Sequence, residues 1–404
     1  MLNTQPLENL RAKARHIFEV GIKAANPQAA VARALKKTPI DGPTIILAVG
    51  KAACAMMAAA LKRVQSKQAL IVTSYENARP IEGAEIWAAG HPRPDKQGLA
   101  AGRRVKALAE AAGKNDQILL LLSGGGSALL PCPVQGISLA DKQVTNDLML
   151  SGGLPIEHVN LVRQNLSELK GGGLARLAAP AQVRSLILSD VIGDDVRAIA
   201  SGPTAPSLGT REQAKMVLEA ADLWADLPTS VQTRLSQSSG PEMPFSAVNQ
   251  IIGSNATALD AMAAASGGLI ANPMLVGDVE TAADRITEDA LTKPNSILLW
   301  GGETTVTLKG TGKGGRNQEL SLHVLKRLQT LPRPWAFLSA GSDGIDGPID
   351  AAGGLVDSSQ AFSATLQQSL DLNDSYAALE TMNALIKTGA TGTNVADFQI
   401  LVRP

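Results

Sequence analysis

The chain has 404 residues, which is enough for two domains of ordinary size. Hydrophobic residues make up 45% of it and aromatic residues only 3%, so we expect an aliphatic core and no stacking platform for single-stranded nucleic acid. Basic and acidic residues number 37 each, and this balance argues against a nucleic-acid or anionic-membrane partner.

The N-terminal segment and the cysteines narrow the class of protein further. Residues 1–21 have the pattern of an amphipathic helix with interspersed charges, which is not the pattern of a signal peptide. The longest apolar runs are near strand length, so we expect no membrane span and a cytoplasmic location. Cys54 and Cys132 are too few for a disulfide framework, and their spacing fits no zinc site.

In the first part of the chain, short aliphatic runs alternate with helical patterns. This alternation predicts a doubly wound α/β domain with a parallel sheet covered on both faces. The predicted strands are 44–49, 69–73, 85–88, 118–122, 185–189 and 250–253. The predicted helices are 52–64, 97–112, 139–151, 156–169 and 210–221.

A lysine follows the first predicted strand, in the sequence Val-Gly-Lys-Ala over 49–52. Lys51 would stand in the first turn of a helix, where a cation opposes the helix dipole unless an anion joins it. It would also lie at the carboxyl end of a parallel strand, where open α/β sheets place ligands. We expect Lys51 to contact an anion; the alternative is a surface lysine held by a nearby aspartate or glutamate.

Three consecutive glycines follow the buried strand predicted over 118–122. Such a run costs conformational entropy, and the close approach of a phosphate or carboxylate would justify that cost. The alternative is a tight turn between a strand and a helix. We expect an anion to bind this loop through Ser123, Gly124, Gly125, Gly126 and Ser127.

Aspartates follow the strand predicted over 185–189. Mg²⁺ in proteins usually takes one or two carboxylates together with substrate phosphates. Asp190 is therefore predicted both to contact substrate and to bind the metal. Asp194 and Asp195 could instead cap a helix that starts near Val196. The four histidines of the chain show no metal-ligand spacing.

A second α/β pattern follows a turn-rich segment at 237–247, which is a candidate linker. Its helices are predicted at 256–265, 282–291 and 318–328, and its strands at 296–300, 304–308 and 335–339. The last apolar run, 397–402, could complete either sheet.

The second pattern contains a strand, a glycine-rich loop and a helix over 301–322, an arrangement typical of phosphate sites. Arg316 stands where the helix begins and would be better placed with an anion beside it. The motif G-x-G-x-x-G over 310–315 lacks the acidic residue of a dinucleotide site, and a mobile surface loop is the alternative. The residues expected to contact substrate or nucleotide here are Gly312, Gly314, Gly315 and Asn317.

Another polar loop follows the strand predicted over 335–339. Asp343 and Asp346 could contact a metal or substrate hydroxyls, and we include Asp343 among the candidate binding residues. The alternative is that both are Asx-turn residues. No G-x-S-x-G elbow is present, so a hydrolase triad is poorly supported.

The motifs SGGGSALL, SDVIGDD with SGPT, GGETTVTLKGTGKGGRNQEL, SAGSDGIDGPIDAAG and TGATGTNVADF occur in this order. Together they resemble the two-domain glycerate kinases of the MOFRL family, and the resemblance spans nearly the whole chain. It implies a Rossmann-like N-terminal domain over 1–240 and a smaller C-terminal α/β domain with a mixed sheet over 246–396. It also implies an active site between the domains and a tail, 397–404, that packs on the large domain.

The resemblance implies an ATP-dependent kinase that uses Mg²⁺ and phosphorylates D-glycerate at the 2-hydroxyl. The family's lysine in V-G-K-A and arginine in G-G-R-N-Q-E are implied to act in phosphoryl transfer, and they match Lys51 and Arg316. The expected partners are glycerate and ATP, with no nucleic acid and no membrane, and a homodimer is compatible with the sequence.

Two other functions compete with the kinase. Family members have often been labelled hydroxypyruvate reductase, so an NAD(P)H-dependent reductase is the first alternative. It needs a ribose-binding acid that the glycine motif lacks. The second is a protein that binds a sugar acid or nucleotide without turnover, which the glycine and serine loops alone do not exclude.

Overall fold

The computed structural model describes residues 5–240, 243–332 and 334–404. They form two compact units. Pro27–Ile252 is the first, here called the parallel-sheet unit, and the N-terminal segment up to Asn26 joins Gly253–Pro404 in the second, the mixed-sheet unit. None of the helices in these described ranges is long and apolar enough to cross a membrane.

The chain begins with α1 (Gln5–Ala24), which belongs to the mixed-sheet unit. The strands of the parallel-sheet unit are β1 (Thr44–Val49), β2 (Ser66–Ser74), β3 (Glu85–Ala89), β4 (Gln117–Leu122), β5 (Gln182–Leu188) and β6 (Ala247–Gly253). Its helices are α2 (Pro27–Lys37), α3 (Ala53–Ala60), α4 (Lys96–Glu110), α5 (Gly126–Leu129), α6 (Leu139–Ser151), α7 (Ile156–Asn165), α8 (Gly173–Ala178), α9 (Arg211–Ala220) and α10 (Thr229–Leu235).

The six strands of this unit form one parallel sheet in the order β3-β2-β1-β4-β5-β6. This is the strand order of the Rossmann fold, in which the connections reverse direction between β1 and β4. Every residue of β1 is buried, as expected for a strand covered by helices on both faces. The predicted fold class is confirmed, and the order of the strands places a ligand crevice at the carboxyl ends of β1 and β4.

The mixed-sheet unit combines one sheet, which has both short and long strands, with several helices besides α1. Its strands are β7 (Leu269–Ile270), β8 (Leu275–Asp278), β9 (Ile297–Thr305), β10 (Ala336–Gly341), β11 (Gly353–Asp357), β12 (Leu385–Ile386) and β13 (Asp397–Val402). Its other helices are α11 (Asn255–Ser266), α12 (Val279–Thr292), α13 (Arg316–Arg327), α14 (Ala364–Asp371) and α15 (Ser375–Thr381).

The sheet of this unit runs in the order β12-β11-β10-β13-β9-β7, with β8 also paired to β9. β13 pairs antiparallel with both β10 and β9, whereas β7 and β8 pair parallel with β9. The two strands predicted at 296–300 and 304–308 are one continuous strand, β9. A Cβ atom at Gly302 would lie 1.9 Å from the Leu275 carbonyl oxygen, so the glycine lets β8 pair where a break was expected.

The C-terminal tail lies in the middle of the mixed sheet, which differs from its expected packing on the large N-terminal domain. All six residues of β13 are buried between β10 and β9. Such a strand needs pairing partners on both edges and apolar cover on both faces, and this sheet supplies both.

The boundaries of the units also differ from the expected domains, 1–240 and 246–396. α1 covers the mixed sheet: Phe18 packs edge-on against Phe398 with ring centroids 6.1 Å apart, and Arg11 pairs with Asp357 at 2.6 Å. At the other boundary, β6 is the edge strand of the parallel sheet, so the chain leaves that unit only after residue 252. The turn-rich segment 237–247 leads into β6 and is not the link between the units.

Candidate active site

In the parallel-sheet unit, the turns after β1 and β4 meet where the strand order reverses. The Ser123 amide donates to the Val49 carbonyl, and the Lys51 amide donates to the Gly124 carbonyl, each at 2.9 Å. The Ser123 hydroxyl accepts a hydrogen bond from the Ala52 amide at 3.1 Å. Ser123 is buried, so its hydroxyl ties the two turns together.

The predicted site residues of this unit meet around the triglycine turn, 124–126. A Cβ atom at Gly124 would lie 2.1 Å from Oδ2 of Asp190. One at Gly125 would lie 3.2 Å from Nε2 of His91 and 3.3 Å from Cγ of Lys51, and Gly125 has a φ of +86°. A side chain at either position would displace these groups. The structure thus brings together Lys51, the glycine turn and Asp190, and it adds His91, which the sequence did not single out.

The Lys51 side chain is half-buried just before α3. Among the residues that the structure describes, no carboxylate forms a direct ion pair with its ammonium group, and the Glu76 carboxylate interacts with its charge only at longer range. Burial, and after it the charge of Lys51, lowers the pKa of His91, so this imidazole is neutral at neutral pH. The unpaired ammonium is therefore available to an anionic ligand.

Ser127 belongs to a chain of hydrogen bonds on the far side of the turn. Its hydroxyl lies 2.7 Å from the Ser201 hydroxyl, which donates to Oδ1 of Asn160 at 3.0 Å. Its carbonyl accepts a hydrogen bond from Nζ of Lys170 at 2.8 Å. These contacts hold the end of the predicted anion loop in one conformation.

The loop after β5 packs on the same turn. A Cβ atom at Gly126 would lie 2.7 Å from Cβ of Ala200, so the two segments need a glycine at their contact. Ala200 and Ser201 have φ values of +49° and +60°, which are uncommon for residues with a side chain and concentrate at functional sites. A 3₁₀ turn, Ile199–Ser201, stands where a helix near Val196 was expected.

A pocket of about 210 Å³ opens beside the triglycine turn, inside the parallel-sheet unit. Groups of the turn and its surroundings form part of its wall, and three basic side chains also line it. No aspartate or glutamate is found among its described lining residues. The shared wall consists of His91, Gly125 and Ser127, and the basic residues are Lys142, Arg163 and Lys170.

The three basic residues belong to no sequence motif, and sequence analysis did not select them. They come from α6, α7 and the loop before α8, and only the fold brings them to one cavity. One signal was present in the sequence: Lys170 follows Leu169 and precedes three glycines, which is an unusual setting for a solvated lysine.

Asp190 is half-buried, follows β5 and lies against Gly124, at the same edge of the sheet as Lys51. Within the described ranges, no group of three or more histidine, cysteine, aspartate or glutamate side chains is placed to hold a metal ion. Mg²⁺ takes as few as one protein carboxylate when phosphates and water supply its other ligands. The position of Asp190 therefore fits a metal held chiefly by a nucleotide.

Arg316, in the mixed-sheet unit, has protein partners for its charge. Its Nε and Nη2 donate to the two carboxylate oxygens of Asp397 at 2.6 and 3.0 Å, and Nη1 donates to Glu303 at 2.8 Å. Burial works to lower its pKa, but the hydrogen bond and charge of Asp397, with Glu303, outweigh burial and raise it. A cation at this helix start was expected to need a ligand anion; in the structure, two carboxylates of the chain fill that role.

The N-terminus of α13 is likewise occupied by a carboxylate of the chain. The amides of Asn317 and Gln318 donate to Asp346 at 3.0 and 2.9 Å, and both side-chain amides donate to the same carboxylate. Asn317 is buried and accepts a hydrogen bond from the Ser339 hydroxyl at 2.7 Å. Asp346 is therefore the N-terminal cap where the sequence led us to expect a phosphate, and Asn317 supports that cap.

The glycine loop 310–315 packs on the chain between α14 and α15. The Gly310 amide donates to Oδ1 of Asn373 at 2.9 Å, and the Gly312 amide donates to the Leu372 carbonyl at 2.9 Å. Cβ atoms at Gly312, Gly314 and Gly315 would lie 2.5, 2.1 and 2.3 Å from atoms of Asp374, Ser375 and Asp346. Close approach to the protein's own chain thus accounts for these glycines.

Asp343 lies near the Arg316–Asp397 pair. A Cβ atom at Gly341 would lie 3.2 Å from Oδ1 of Asp343 and 3.5 Å from Oδ1 of Asp397. The Asp343 carboxylate accepts the Ile345 amide at 3.0 Å, which is the Asx-turn contact given as the alternative. The mixed-sheet unit therefore gathers Arg316, Asp397, Glu303 and Asp343 in one charged cluster.

The fold and the sites define a two-unit α/β protein with a triglycine turn beside Lys51 at the reversal point of a Rossmann-order sheet. Comparison with protein families assigns residues 13–236 to a domain of unknown function, DUF4147, and residues 296–397 to the MOFRL family. A D-glycerate 2-kinase of Thermotoga maritima is 39% identical to the chain, with 97% of this chain and 98% of the relative covered.

Two further relatives complete the comparison by sequence. A glycerate 2-kinase of Pyrococcus horikoshii is 34% identical over 94% of both chains. A protein of Agrobacterium vitis with a provisional hydroxypyruvate reductase name is 35% identical over 96% of this chain and 93% of its own. The chain therefore belongs to the glycerate 2-kinase family, as its motifs indicated, and is an enzyme of the kinase class.

Solved structures agree with this assignment. The crystal structure of glycerate kinase from Thermotoga maritima matches with a TM-score of 0.89 and 37% identity, covering 98% of this chain and all of that chain. A Pyrococcus horikoshii protein matches with a TM-score of 0.83 and 33% identity, covering 97% of this chain and 98% of its own.

Proposed function

We propose that the protein transfers the γ-phosphoryl group of ATP to the 2-hydroxyl of D-glycerate and releases 2-phosphoglycerate and ADP. The observation that carries this proposal is the unpaired Lys51 ammonium beside the triglycine turn and Asp190, at the reversal point of the parallel sheet. The names of the two 2-kinase relatives support the substrate and the position of transfer.

The reaction needs positioning and neutralisation of charge more than covalent help from the protein. The glycerate 2-hydroxyl oxygen forms a bond to the γ-phosphorus as the bond to the ADP oxygen breaks, and the hydroxyl proton is released to water. Lys51 neutralises charge on the equatorial oxygens of the transferred group, and the rigid turn at 123–127 positions the phosphates. Because the transition state is loose, the proton leaves late and no strong base is needed early.

Asp190 is the residue proposed to hold Mg²⁺ together with the nucleotide phosphates. The bound ion would neutralise phosphate charge and orient the transferred group. Asp190 stands close enough to Gly124 to keep its carboxylate at the edge of the turn, which is where the phosphates are proposed to lie.

Arg316 is proposed as the second cation of the reaction. The Asp397 side chain, which is 1% exposed, accepts hydrogen bonds from one edge of the Arg316 guanidinium. The other partner of Arg316, Glu303, is 45% exposed. The exposed pair is worth little, so a phosphoryl oxygen can take the place of Glu303 while Asp397 keeps the guanidinium oriented. The glycine loop 310–315 would then support α13 rather than bind phosphate itself.

An NAD(P)H-dependent reductase is less consistent with the geometry. The glycines of the G-x-G-x-x-G segment after β9 lie against residues 346 and 372–375 of the chain itself. In a dinucleotide fingerprint the glycines instead let the backbone approach the pyrophosphate.

The cytoplasmic location and the homodimer stay predictions.

The test is a coupled assay of the purified protein with D-glycerate and Mg-ATP, with the position of the phosphate determined by NMR. We expect ATP consumption and 2-phosphoglycerate, and no oxidation of NADH or NADPH with hydroxypyruvate. Binding of glycerate without turnover would support the non-catalytic alternative, and reductase turnover without kinase activity would overturn the proposal.

A further inference from the structure

The pocket beside the triglycine turn carries positive charge that the described residues do not neutralise. Lys170 is 4% exposed, and its Nζ donates to the Ser127 carbonyl at 2.8 Å. Lys142 donates to the Leu166 carbonyl at 3.2 Å, and Arg163 donates to the Asn146 side chain. Among the described residues, none of these three basic groups forms an ion pair with a carboxylate.

In the absence of a ligand, this cluster of basic groups lowers the stability of the fold. Burial, and after it the neighbouring cations, lowers the pKa of Lys142 to about 8 and that of Lys170 well below its usual value. Burial also lowers the pKa of Arg163. Unpaired charges in a low-dielectric pocket destabilise a fold, and such clusters concentrate at sites that bind an opposite charge.

The size and walls of the pocket restrict what that opposite charge can be. Its volume of about 210 Å³ is below the range of roughly 300–1,000 Å³ typical of sites for drug-sized ligands. A nucleoside triphosphate is too large for it, whereas a three-carbon hydroxy acid fits. Met149, Leu166 and Pro131 supply apolar surface for a short carbon skeleton.

The pocket also shares a wall with the proposed phosphoryl-transfer site. Gly125 lines the pocket, and its Cβ position is 3.3 Å from Cγ of Lys51. A small acid held at its carboxylate end by the basic residues would extend its hydroxyl toward the turn. A ligand bound this way would present the group that receives the phosphate.

We propose that Lys142, Arg163 and Lys170 bind the carboxylate of D-glycerate in this pocket and so select small 2-hydroxy acids. The inference rests on the proposed function and adds the acceptor subsite to it. Arg163 offers a planar edge suited to a carboxylate, and the two lysines add charge without fixed geometry.

The test measures D-glycerate binding by calorimetry without nucleotide, and steady-state kinetics with Mg-ATP, for Lys142→Met and Arg163→Met. Each should raise the Kd and KM for D-glycerate by at least ~10-fold, the weight of one charge-assisted hydrogen bond, and change the KM for ATP by less than about 3-fold. The matched control is Lys114→Met, an exposed lysine before β4, which should change neither.

Two further readouts separate binding from a structural role. Lys142→Met should melt at the same or a higher temperature than the wild type, because it removes a half-buried charge that has no carboxylate partner among the described residues. Lys142→Arg should retain binding. If Lys142→Met does not fold, the Lys142→Arg and Arg163→Lys proteins take its place in the test. Their preference for D-glycerate over the uncharged analogue glycerol is then compared with that of the wild type.

The pH dependence gives an independent check. The groups around Lys142 are Arg163, Lys170, His91 and Cys132, whose thiol has a pKa raised to about 12 by burial and by Glu168. The Glu168 carboxylate lies beyond Cys132 and is paired with Lys106. A bound carboxylate favours the protonated lysine. Wild-type affinity should therefore weaken as the pH rises through the range in which Lys142, with a pKa of about 8, and Lys170 lose their protons, and Lys142→Arg should reduce that weakening.

The outcomes are distinct. If the wild type does not phosphorylate D-glycerate, the proposed function and this subsite both fall. If it does, but the two methionine variants raise only the KM for ATP, the pocket holds nucleotide phosphates and the inference is wrong. Unchanged constants for both substrates would also overturn it, because the basic residues would then be structural.

Discussion

Lys51 has no carboxylate partner among the described residues, and the proposed function assigns its charge to the transferred phosphoryl group. We predict that Lys51→Ala lowers kcat by at least ~10²-fold, about 2.7 kcal/mol of transition-state stabilisation, with a much smaller change in nucleotide affinity. Single-turnover kinetics on protein with a wild-type circular dichroism spectrum measures this. Lys62→Ala, an exposed lysine just after α3, is the control, and wild-type kcat in Lys51→Ala would remove Lys51 from the reacting groups.

Arg316 differs from Lys51 because its partner Asp397 depends on it. We predict that Arg316→Ala and Arg316→Lys both lower kcat by at least ~10²-fold, since an ammonium does not replace a planar guanidinium held on two sides. Arg316→Ala should also destabilise the fold by about 1–3 kcal/mol, because it leaves the buried Asp397 carboxylate without its donors.

Kinetics combined with thermal unfolding separates these two effects for Arg316. Arg316→Lys keeps a positive charge near Asp397 and should lose less stability than Arg316→Ala. Glu303→Gln, which removes only the exposed partner, should leave stability nearly unchanged. A wild-type kcat in Arg316→Lys would show that the guanidinium geometry is not used in the reaction.

At the scale of elements, the start of α13 depends on one carboxylate that is distant in sequence. Asp346 accepts two backbone and two side-chain hydrogen bonds from the first turn. We predict that Asp346→Ala lowers the free energy of unfolding by about 1–2 kcal/mol through loss of the cap. Because Arg316 is the first residue of α13, activity should fall as well.

Chemical denaturation at constant pH measures the stability change at Asp346. Asp350→Ala is the matched control, since Asp350 is exposed and its carboxylate interacts with Tyr376 and Lys387. It should change stability by less than about 1 kcal/mol, as expected for exposed ion pairs. An Asp346→Ala protein as stable as the wild type would mean that water or another group caps the helix equally well.

At the scale of the whole molecule, both ends of the chain belong to the mixed-sheet unit. Removing residues 397–404 deletes β13 from between β10 and β9, together with Asp397. We predict that this truncation unfolds the mixed-sheet unit, because the neighbouring strands lose their ladder partners and the core between sheet and helices opens. The parallel-sheet unit has a core of its own and should keep a cooperative transition.

Limited proteolysis with mass spectrometry, alongside thermal unfolding, measures the effect of the truncation. Fragments of the 27–252 region should resist cleavage while the rest is degraded. Removal of Pro404 alone is the control and should leave the wild-type pattern. A truncated chain with wild-type protease resistance throughout would contradict a central role for β13.

The alternation of buried strands with helices was readable from the sequence because each element is encoded by its own residues. The strand at 44–49 and the helix at 139–151 have the predicted bounds, since apolar runs and caps are local signals. The meeting of Lys51, the triglycine turn and Asp190 was also predictable, because carboxyl ends of parallel strands share one edge of a sheet.

The tertiary structure alone decided which distant groups neutralise one another. Arg316 binds Asp397, which lies 81 residues further along the chain, and Asp346 caps α13 from 29 residues beyond Asn317. The C-terminal tail enters the mixed sheet instead of packing on the large domain. The same holds for Lys142, Arg163 and Lys170, which three separate segments bring to one pocket. Periodicity and motif spacing describe neighbours along the chain, whereas the partner of a buried charge is set by packing between elements.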